Sequence, residues 1–336
     1  MEMTPNPQPQ QAASTQAAKT SQVGRQAARP VPMRQGEPVL LQGHDGAQLC
    51  GELLWPRTGE PRVVVALSHA MMVDRRTLDQ PRGEGLLSQL LQAGVAVFWF
   101  DQRGHGQSRP TATEGRRWSY DDLVADAGVV ARYLAERFPS LTRVAMGHSL
   151  FGHVALAYQA RISADQRSQT DGVGFDALVL IGGNVWLRQL EPSRWRWLKK
   201  RVSYALLQQL MWPWGYLPVR RLRMGTADEA ADYLRQMGRW TREDDWTTQD
   251  GHSYLRGLSQ VTVPILSVAG AGDHLLAVPR CQLALLGRTQ APLTHWVIGR
   301  AFGDACDPGH MELVLDRRLS PRWQAIAQWT RALSRS

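Results

Sequence analysis

The feature that most constrains the fold of this chain is a regular alternation of short apolar runs with amphipathic segments. The apolar runs are RVVVALSHA, VAVFWFDQRG, RVAMGHS, DALVLIGGN and VPILSVAGAGD. Strands that are apolar throughout are typical of a sheet covered by helices on both faces. The segments between them, such as GEGLLSQLLQAG, place apolar residues at helical spacing. The alternation therefore predicts an α/β fold with a doubly wound, mostly parallel sheet.

Several helix boundaries can be predicted as well. SYDDLVADAGVVARYLAERFP begins with Ser119, a residue type whose side-chain oxygen caps helix N-termini. Towards the C-terminus the pattern predicts a helix near Pro279 to Leu286, a last strand in LTHWVIG, and a closing helix around Pro321 to Leu333.

The N-terminal part of the chain differs from the rest in composition. Residues 1–36 are rich in Gln, Ala, Pro, Ser and Thr and contain no apolar run, so we expect a disordered tail. A cleaved targeting peptide is the alternative, because the segment contains Arg, Ser and Thr and almost no acid. Next, PVLLQGHDGAQLCGELLWP places two apolar stretches around His44-Asp45-Gly46, which predicts a β-hairpin.

A change of pattern near residue 185 predicts a separate helical unit. Residues 185–257 contain no apolar run of strand length, yet they hold seven of the thirteen tryptophans. We interpret them as a helical, Trp- and Arg-rich cap inserted into a core formed by residues 37–184 and 258–336.

Charge and cysteines limit the partners that we expect. The net charge is +9, but the only dense basic clusters lie at 199–201 and 220–223, and no recognition motif accompanies them. We therefore expect no nucleic-acid partner. Cys50, Cys281 and Cys306 lie far apart without C-x-x-C spacing, which argues against a disulfide scaffold and favours a reducing, cytoplasmic location.

The chain offers no clear site for a cofactor or metal. Neither a G-x-x-x-x-G-K-[ST] phosphate loop nor a strand-linked G-x-G-x-x-G occurs. Cys306, Asp307 and His310 share one short loop, but three potential ligands without a distant partner form a weak metal pattern. We expect neither a cofactor nor a metal ion.

The segment RVAMGHSLFGHVAL places Ser149 between a predicted strand and a predicted helix. A hydrolytic serine needs this position, because the backbone N–H groups at the start of the helix can stabilise an oxyanion. Gly147 supplies the small residue before the serine, but Phe151 stands where a second small residue is normally found, and Gly152 follows one position late. Either the helix is displaced or Phe151 points into a pocket. The alternative is a serine that merely caps the helix.

These motifs and their order resemble the α/β-hydrolase fold over roughly residues 37–333, and they are similar to the serine aminopeptidase and monoacylglycerol lipase-like group. The resemblance implies Ser149 as the nucleophile. It also implies Asp273, after the strand VPILSVA, as the acid and His310, after the last strand, as the base, in the chain order of this fold. Asp304 and Asp307 are nearer to His310 in sequence and are alternatives for the acid. Dehalogenases and epoxide hydrolases would have Asp at the position of Ser149.

The same resemblance implies an oxyanion hole formed by the N–H groups of Leu150 and Met71. In the loop that carries the second donor, the family usually has His-Gly-x, whereas this chain has His69-Ala70-Met71. Alanine is tolerable in place of that glycine if its φ stays negative. The stretch from Asp101 to Ser108 matches D-x-R-G-x-G-x-S, whose charges commonly tie loops together.

The apolar and aromatic side chains of the cap are candidates for an acyl pocket. We predict substrate contacts from His69, Phe151, Trp186 and Trp212. Packing of the cap on the core is the alternative for the tryptophans. The Arg and Lys residues interleaved with them also suit a peripheral contact with a membrane, where Trp lies at the interface and basic groups face anionic lipid.

We therefore expect a cofactor-free serine hydrolase that cleaves a small ester, thioester or lipid-like acyl substrate. Peptidase or amidase activity, and acyl transfer to another alcohol, would use the same residues. A catalytically impaired binding protein with this fold is the alternative of a different class, because Phe151 and Ala70 occupy positions that normally hold glycine.

Overall fold

The computed structural model describes residues 36–43, 45–115, 117–165 and 172–334. Apart from Gly36, the tail predicted over residues 1–36 lies outside these residues. An eight-stranded sheet forms the centre of the described chain, in the order β1-β2-β4-β3-β5-β6-β9-β10. Its strands are β1 (Glu37–Gln42), β2 (Gln48–Leu54), β3 (Val63–Ser68), β4 (Ala96–Phe100), β5 (Thr142–His148), β6 (Ala177–Ile181), β9 (Ile265–Gly270) and β10 (Leu293–Ile298).

The sheet is parallel from β4 to β10, and β2 runs antiparallel to both of its neighbours, β1 and β4. Helices cover both faces, since α2 packs with α3 on one side and α1 packs with α9 on the other. The helices of this core are α1 (Leu86–Gln92), α2 (Tyr120–Arg137), α3 (Leu150–Asp165), α7 (Pro279–Leu286), α8 (Glu312–Leu315) and α9 (Ser320–Ala332). The prediction of a doubly wound, mostly parallel sheet is confirmed.

Local signals in the sequence explain two of the boundaries. The Ser119 hydroxyl accepts a hydrogen bond from the Asp122 N–H, and the Asp122 carboxylate accepts one from the Ser119 N–H at 2.7 Å, so that the two residues cap α2. The hairpin between β1 and β2 turns at Gly46, whose φ is +81°, as the Asp-Gly pair predicts. His44 of this turn lies outside the described residues.

The segment between β6 and β9, which we call the cap, is mostly helical. It contains α4 (Arg194–Met211), α5 (Ala231–Glu243) and α6 (Tyr254–Gly257), and also a short antiparallel ribbon of β7 (Tyr216–Leu217) and β8 (Glu229–Ala230) that the sequence did not predict. Aromatic contacts join the cap to the core, for example the edge-to-face pair of Tyr120 and Trp240 at 4.7 Å. Among the described helices, none combines the length and the apolar character that crossing a bilayer requires.

One basic cluster of the cap is less exposed than its sequence suggests. The ammonium of Lys200 is buried and donates to the buried Glu191 carboxylate at 3.0 Å, and Arg196 donates to the same carboxylate at 2.9 Å. Burial raises the pKa of Glu191, but the hydrogen bonds from Lys200, Ser193 and Arg196 outweigh it and lower the pKa to about 2. Lys200 therefore forms a buried ion pair within the cap, and of this basic cluster only Lys199 and Arg201 face solvent.

Candidate active site

Ser149 occupies a strained turn between β5 and α3. Its φ is +51°, a left-handed conformation that costs a residue other than glycine about 1–2 kcal/mol. Its N–H donates to the carbonyl of Ile181 on the neighbouring strand at 2.8 Å, which holds the turn at the carboxyl end of the sheet. Such strain is found mainly at functional sites, where the surrounding structure holds the residue in place.

The tight packing of this turn depends on Gly147 and Gly152. A Cβ atom added to Gly147 would lie 2.1 Å from the Gly152 nitrogen, and one added to Gly152 would lie 2.9 Å from the Gly147 oxygen. The second small residue of the elbow is therefore Gly152, and Phe151 does not obstruct the approach. The Phe151 side chain is 1% exposed and packs edge-to-face on Phe100 at 5.1 Å. The prediction that Phe151 contacts substrate is wrong, because the ring belongs to the core.

Asp273 and His310 form a hydrogen-bonded pair across two loops. His310 Nδ1 lies 2.7 Å from Asp273 Oδ2, and the carboxylate also accepts the N–H groups of Leu275, Leu276 and Ala277. Burial raises the pKa of Asp273, but the hydrogen bond and charge of His310 and these N–H groups outweigh it, so that the pKa lies below its ordinary value. An ionised Asp273 fixes the proton of His310 on Nδ1 and leaves Nε2 as the acceptor.

His310 and Ser149 lie at the same edge of the sheet. The His310 ring lies against Gly182, where an added Cβ would be 3.2 Å from Cε1, and Gly182 directly follows Ile181, the partner of the Ser149 N–H. Within the described chain the Ser149 hydroxyl forms no hydrogen bond with His310. This contact commonly tightens only when substrate binds.

His148, which precedes Ser149, supports the histidine loop. Its Nε2 lies 3.0 Å from the His310 carbonyl oxygen, and the two ring centroids are 5.1 Å apart. Burial, followed by the charge of His310, lowers the pKa of His148 to about 3, so its neutral ring donates from Nε2 to that carbonyl. His148 was not predicted as a site residue, although its place inside the elbow motif was a signal for it.

The alternative acids have other partners. The Asp304 carboxylate accepts hydrogen bonds from Arg322 and from the Gly299 N–H, and the Asp307 carboxylate accepts one from the Arg300 N–H at 2.8 Å. Asp273 is therefore the carboxylate that the structure brings to His310. No cluster of His, Cys, Asp or Glu suited to a metal ion exists within residues 36–43, 45–115, 117–165 and 172–334.

The two predicted oxyanion donors lie at the start of α3 and in the loop after β3. Leu150 is the first residue of α3, and the first N–H groups of a helix have no partner within that helix. In the second loop the left-handed conformation falls at Met72, with φ of +65°, and not at Ala70. An alanine is therefore compatible with the position where the family usually has glycine.

His69 braces this loop from inside. Its Nδ1 donates to the Ala70 carbonyl at 2.7 Å, and its Nε2 accepts the Gln102 N–H at 3.1 Å. The ring is fully buried, and burial, with the nearby His105, lowers its pKa to about 3. The predicted substrate contact of His69 is wrong, because both ring nitrogens are used within the protein and none of the side chain is accessible.

The D-x-R-G stretch ties loops together as predicted. Asp101 accepts the N–H groups of Arg75 and Gln107, and Arg103 binds Asp126 at 2.6 Å and Asp45 at 2.8 Å. These bonds join the loops after β1, β3 and β4 to α2. The stretch therefore supports the site without entering it.

The two predicted substrate-binding tryptophans lie in different surroundings. Trp186 is partly buried and its indole N–H donates to the Leu276 carbonyl at 2.9 Å, in the loop that carries Asp273. Trp212 follows α4 and is 82% exposed to solvent. The role of Trp186 stays a prediction, whereas the Trp212 side chain faces solvent.

Comparison with known proteins agrees with this architecture. The profile of the family described as "Serine aminopeptidase, S33" matches residues 59–288. A monoacylglycerol lipase from Mycolicibacterium smegmatis is 30% identical over 132 residues, which cover 38% of this chain and 40% of that protein. The aligned part thus spans well under half of the relative's length.

Solved structures show the same fold at lower identity. An esterase from Pyrococcus furiosus is 16% identical with a TM-score of 0.56, covering 92% of this chain and 94% of its own. A putative aryl esterase from Burkholderia cenocepacia is 17% identical with a TM-score of 0.52, covering 88% and 98% of the two chains. These similarities establish the architecture of the chain.

Proposed function

Because the chain belongs to the serine aminopeptidase S33 family of α/β-hydrolases, we propose that it is a serine hydrolase that cleaves a small ester, thioester or lipid-like acyl substrate. The observation that carries the proposal is the joint placement of a strained Ser149 and a hydrogen-bonded Asp273–His310 pair at one edge of the sheet. A serine that only capped α3 would need neither the left-handed φ nor an oriented histidine beside the same strands.

The reaction proceeds in two halves. In the first, Ser149 Oγ attacks the acyl carbon, its proton passes to His310 Nε2, and the N–H groups of Leu150 and Met71 stabilise the oxyanion. The leaving alcohol or thiol then takes that proton as its bond to the acyl carbon breaks. In the second half, water gives a proton to His310, attacks the acyl-enzyme and releases the acid, while Ser149 Oγ regains its proton.

The apolar surroundings of the site support an acyl substrate. The indole N–H of Trp186 donates to Leu276 in the loop of Asp273, and the Trp186 ring packs edge-to-face on the buried Tyr204 at 5.0 Å. The partial relative from Mycolicibacterium smegmatis is a lipase for monoacylglycerol, which also favours a lipid-like substrate. Acyl transfer and amide cleavage would use the same groups, and product analysis separates them from hydrolysis.

A fluorophosphonate probe tests the proposed nucleophile directly. We expect the folded protein to be labelled on the peptide that contains Ser149, because an activated serine attacks the phosphorus atom and expels the leaving group. Mass spectrometry of the digested protein locates the adduct, and heat-denatured protein is the control. Absence of label from the folded protein, or label on another serine, would contradict the proposal. A chain-length series of p-nitrophenyl esters then defines the acyl group.

A further inference from the structure

Helix α4 of the cap directs an apolar face at solvent. Its exposed members recur every three or four positions, and Trp212 follows at the helix end. We call them the α4 stripe: Trp195, Leu198, Val202, Leu206, Leu210 and Trp212. The opposite side of the helix is buried through Lys200, Tyr204 and Met211. The stripe is thus a second apolar face that no described part of the chain covers.

More exposed apolar side chains follow the helix in the chain. Trp214, Leu222 and Met224 are 36% exposed or more, and Trp195 in the stripe reaches 78%. Single exposed apolar side chains are ordinary, but a contiguous group of this kind marks an interaction surface.

The charges in the segment that carries the α4 stripe have one sign. Residues 192–224 contain eight basic residues and no acidic residue. Three of the basic side chains are bound to carboxylates, Arg196 and Lys200 to Glu191 and Arg220 to Asp228. The others are exposed: Arg194, Lys199, Arg201, Arg221 and Arg223.

This combination fits the surface of an anionic bilayer. In that setting the apolar side chains enter the boundary between headgroups and acyl chains, and the basic groups lie at the level of the phosphates. A second copy of this chain is a poorer partner, because pairing the stripe with itself would bring two basic surfaces together. We propose that the α4 stripe docks the protein on anionic membranes, with α4 parallel to the bilayer.

Vesicle co-sedimentation tests this proposal without relying on catalysis, if Ser149→Ala protein is used throughout. We expect binding to vesicles that contain phosphatidylglycerol and little binding to pure phosphatidylcholine. Adding Trp195→Gln and Leu206→Gln should lower the partition coefficient at least about tenfold, since both apolar contacts are lost. Adding Arg221→Gln and Arg223→Gln should lower it about tenfold at low salt, and less at high salt.

The control variants carry changes of the same kind elsewhere on the surface. Leu40→Gln alters an exposed leucine on the edge strand β1, and Arg57→Gln with Arg62→Gln removes two exposed charges near the start of β3. Both should bind as the parent does. Failure to bind anionic vesicles at low salt, or equal losses in the controls, would overturn the proposal. So would a change from dimer to monomer in the stripe variant with vesicle binding intact, because the stripe would then be a self-association surface.

A separate observation concerns Glu229, a buried carboxylate on β8 of the cap. It accepts the Met72 N–H, and the Met72 carbonyl accepts the N–H groups of Thr226 at 2.8 Å and Ala227 at 3.1 Å. A Cβ added to Gly225 would lie 2.1 Å from the Met72 oxygen. Both polar groups of the Met72 backbone are therefore bound to the cap, directly after the predicted donor Met71.

Glu229 also contacts His105 from the D-x-R-G stretch. His105 Nδ1 lies 2.8 Å from the Arg103 carbonyl and must donate to it, and Nε2 lies 3.1 Å from Glu229. Burial lowers the pKa of His105, but the charge and hydrogen bond of Glu229, with the Arg103 carbonyl, outweigh it, so that the pKa lies above its ordinary value. The other titratable groups nearby are His69, whose ring centroid is 4.9 Å from that of His105, Asp101, and the buried Tyr233, whose pKa is raised by burial and by Glu229.

We infer that Glu229 is a positioning residue. Its bond to the Met72 N–H fixes the conformation of the loop after β3, which carries the predicted oxyanion donor Met71. The packing of the cap on the core is thereby coupled to the position of the Met71 N–H. This inference rests on the proposed function. No sequence motif pointed to Glu229, because its partners lie more than a hundred residues away in the chain.

Steady-state kinetics with Glu229→Ala and Glu229→Gln test the inference. Losing a well-placed oxyanion donor costs about 10²–10³-fold in kcat, so we expect Glu229→Ala to lower kcat at least about tenfold with a much smaller change in KM. Glu229→Gln keeps an acceptor for the Met72 N–H and should restore most of that loss. Glu191→Gln, at another buried cap carboxylate that does not touch the loop, is the matched control.

Two results would overturn this role for Glu229. One is unchanged kcat in Glu229→Ala. The other is a loss of kcat that follows thermal stability equally in the Glu229 and Glu191 variants. Fluorophosphonate labelling of Ser149 that persists in either case would show that the proposed function stands and that only the positioning role has failed.

Discussion

Replacing Ser149 by alanine is expected to lower kcat for a p-nitrophenyl ester by about 10⁴-fold or more, because removing the nucleophile leaves only binding and oxyanion stabilisation. The unfolding free energy should change little. Alanine and serine both carry a Cβ, so both bear the cost of the left-handed φ of +51°. Initial rates and urea denaturation of the two purified proteins provide the measurements.

Ser149→Gly provides the informative comparison. Glycine adopts a φ of +51° without steric cost, so this variant should be as inactive as Ser149→Ala and more stable by about 1 kcal/mol. Inactivity with a gain in stability would show that the native protein tolerates strain at this turn in order to present a hydroxyl group. Substantial activity in both variants would exclude Ser149 as the nucleophile.

The centre of the sheet was predictable from the sequence because its strands β3 to β6 and β9 are buried on both faces, whereas the helices bury one face only. RVVVALSHA and DALVLIGGN became β3 and β6, and the helix expected from Pro279 to Leu286 has those bounds in the structure. Ser119 marked the start of α2 because its side chain acts on a backbone group three residues away. Such signals are local, and local signals can be read without a structure.

The errors at Phe151 and His69 have a different origin. Both residues lie beside the site in sequence, and proximity in sequence does not show on which side of a turn a side chain lies. Phe151 could be assigned to the core only once the close approach of Gly147 and Gly152 was known. His69 could be excluded only once its two hydrogen bonds to the backbone were known.

The cap was the least predictable region, because its contacts join residues far apart in the chain. Lys200 belongs to a basic run and yet it is buried on Glu191, whereas Trp212, expected in a pocket, faces solvent. Helical periodicity gives the direction of a face and not what covers it. The spacing of apolar residues in α4 shows which of them share a face, but it does not show which of the two apolar faces packs on the core.

Replacing Asp273 by asparagine is expected to lower kcat by about 10⁴-fold while the protein stays folded. Oδ1 of Asp273 accepts the N–H groups of Leu275 and Leu276, whereas Oδ2 accepts the Ala277 N–H and faces His310. The asparagine oxygen should take the Oδ1 position, which has two backbone donors against one at Oδ2, so its NH₂ group would face His310 Nδ1. The ring would then carry its proton on Nε2 and could no longer accept the proton of Ser149.

The pH dependence of stability gives a second measurement on this variant. Because the pKa of Asp273 lies below its ordinary value of 3.8, the carboxylate stabilises the fold fully above that value, and the contribution is lost as the pH falls through the lowered pKa. Asparagine takes up no proton in this range. The difference in unfolding free energy between wild type and Asp273→Asn should therefore shrink below a pH of about 4.

Asp307→Asn is the control for this experiment, since Asp307 lies three residues from His310 but binds the Arg300 N–H. We expect it to keep most of the wild-type kcat. If Asp307→Asn were inactive and Asp273→Asn active, the loop would have to rearrange so that the nearer carboxylate orients the histidine. If both kept their activity, then no carboxylate would be needed to hold His310 in the reactive tautomer, and its contact with His148 through the backbone would have to suffice.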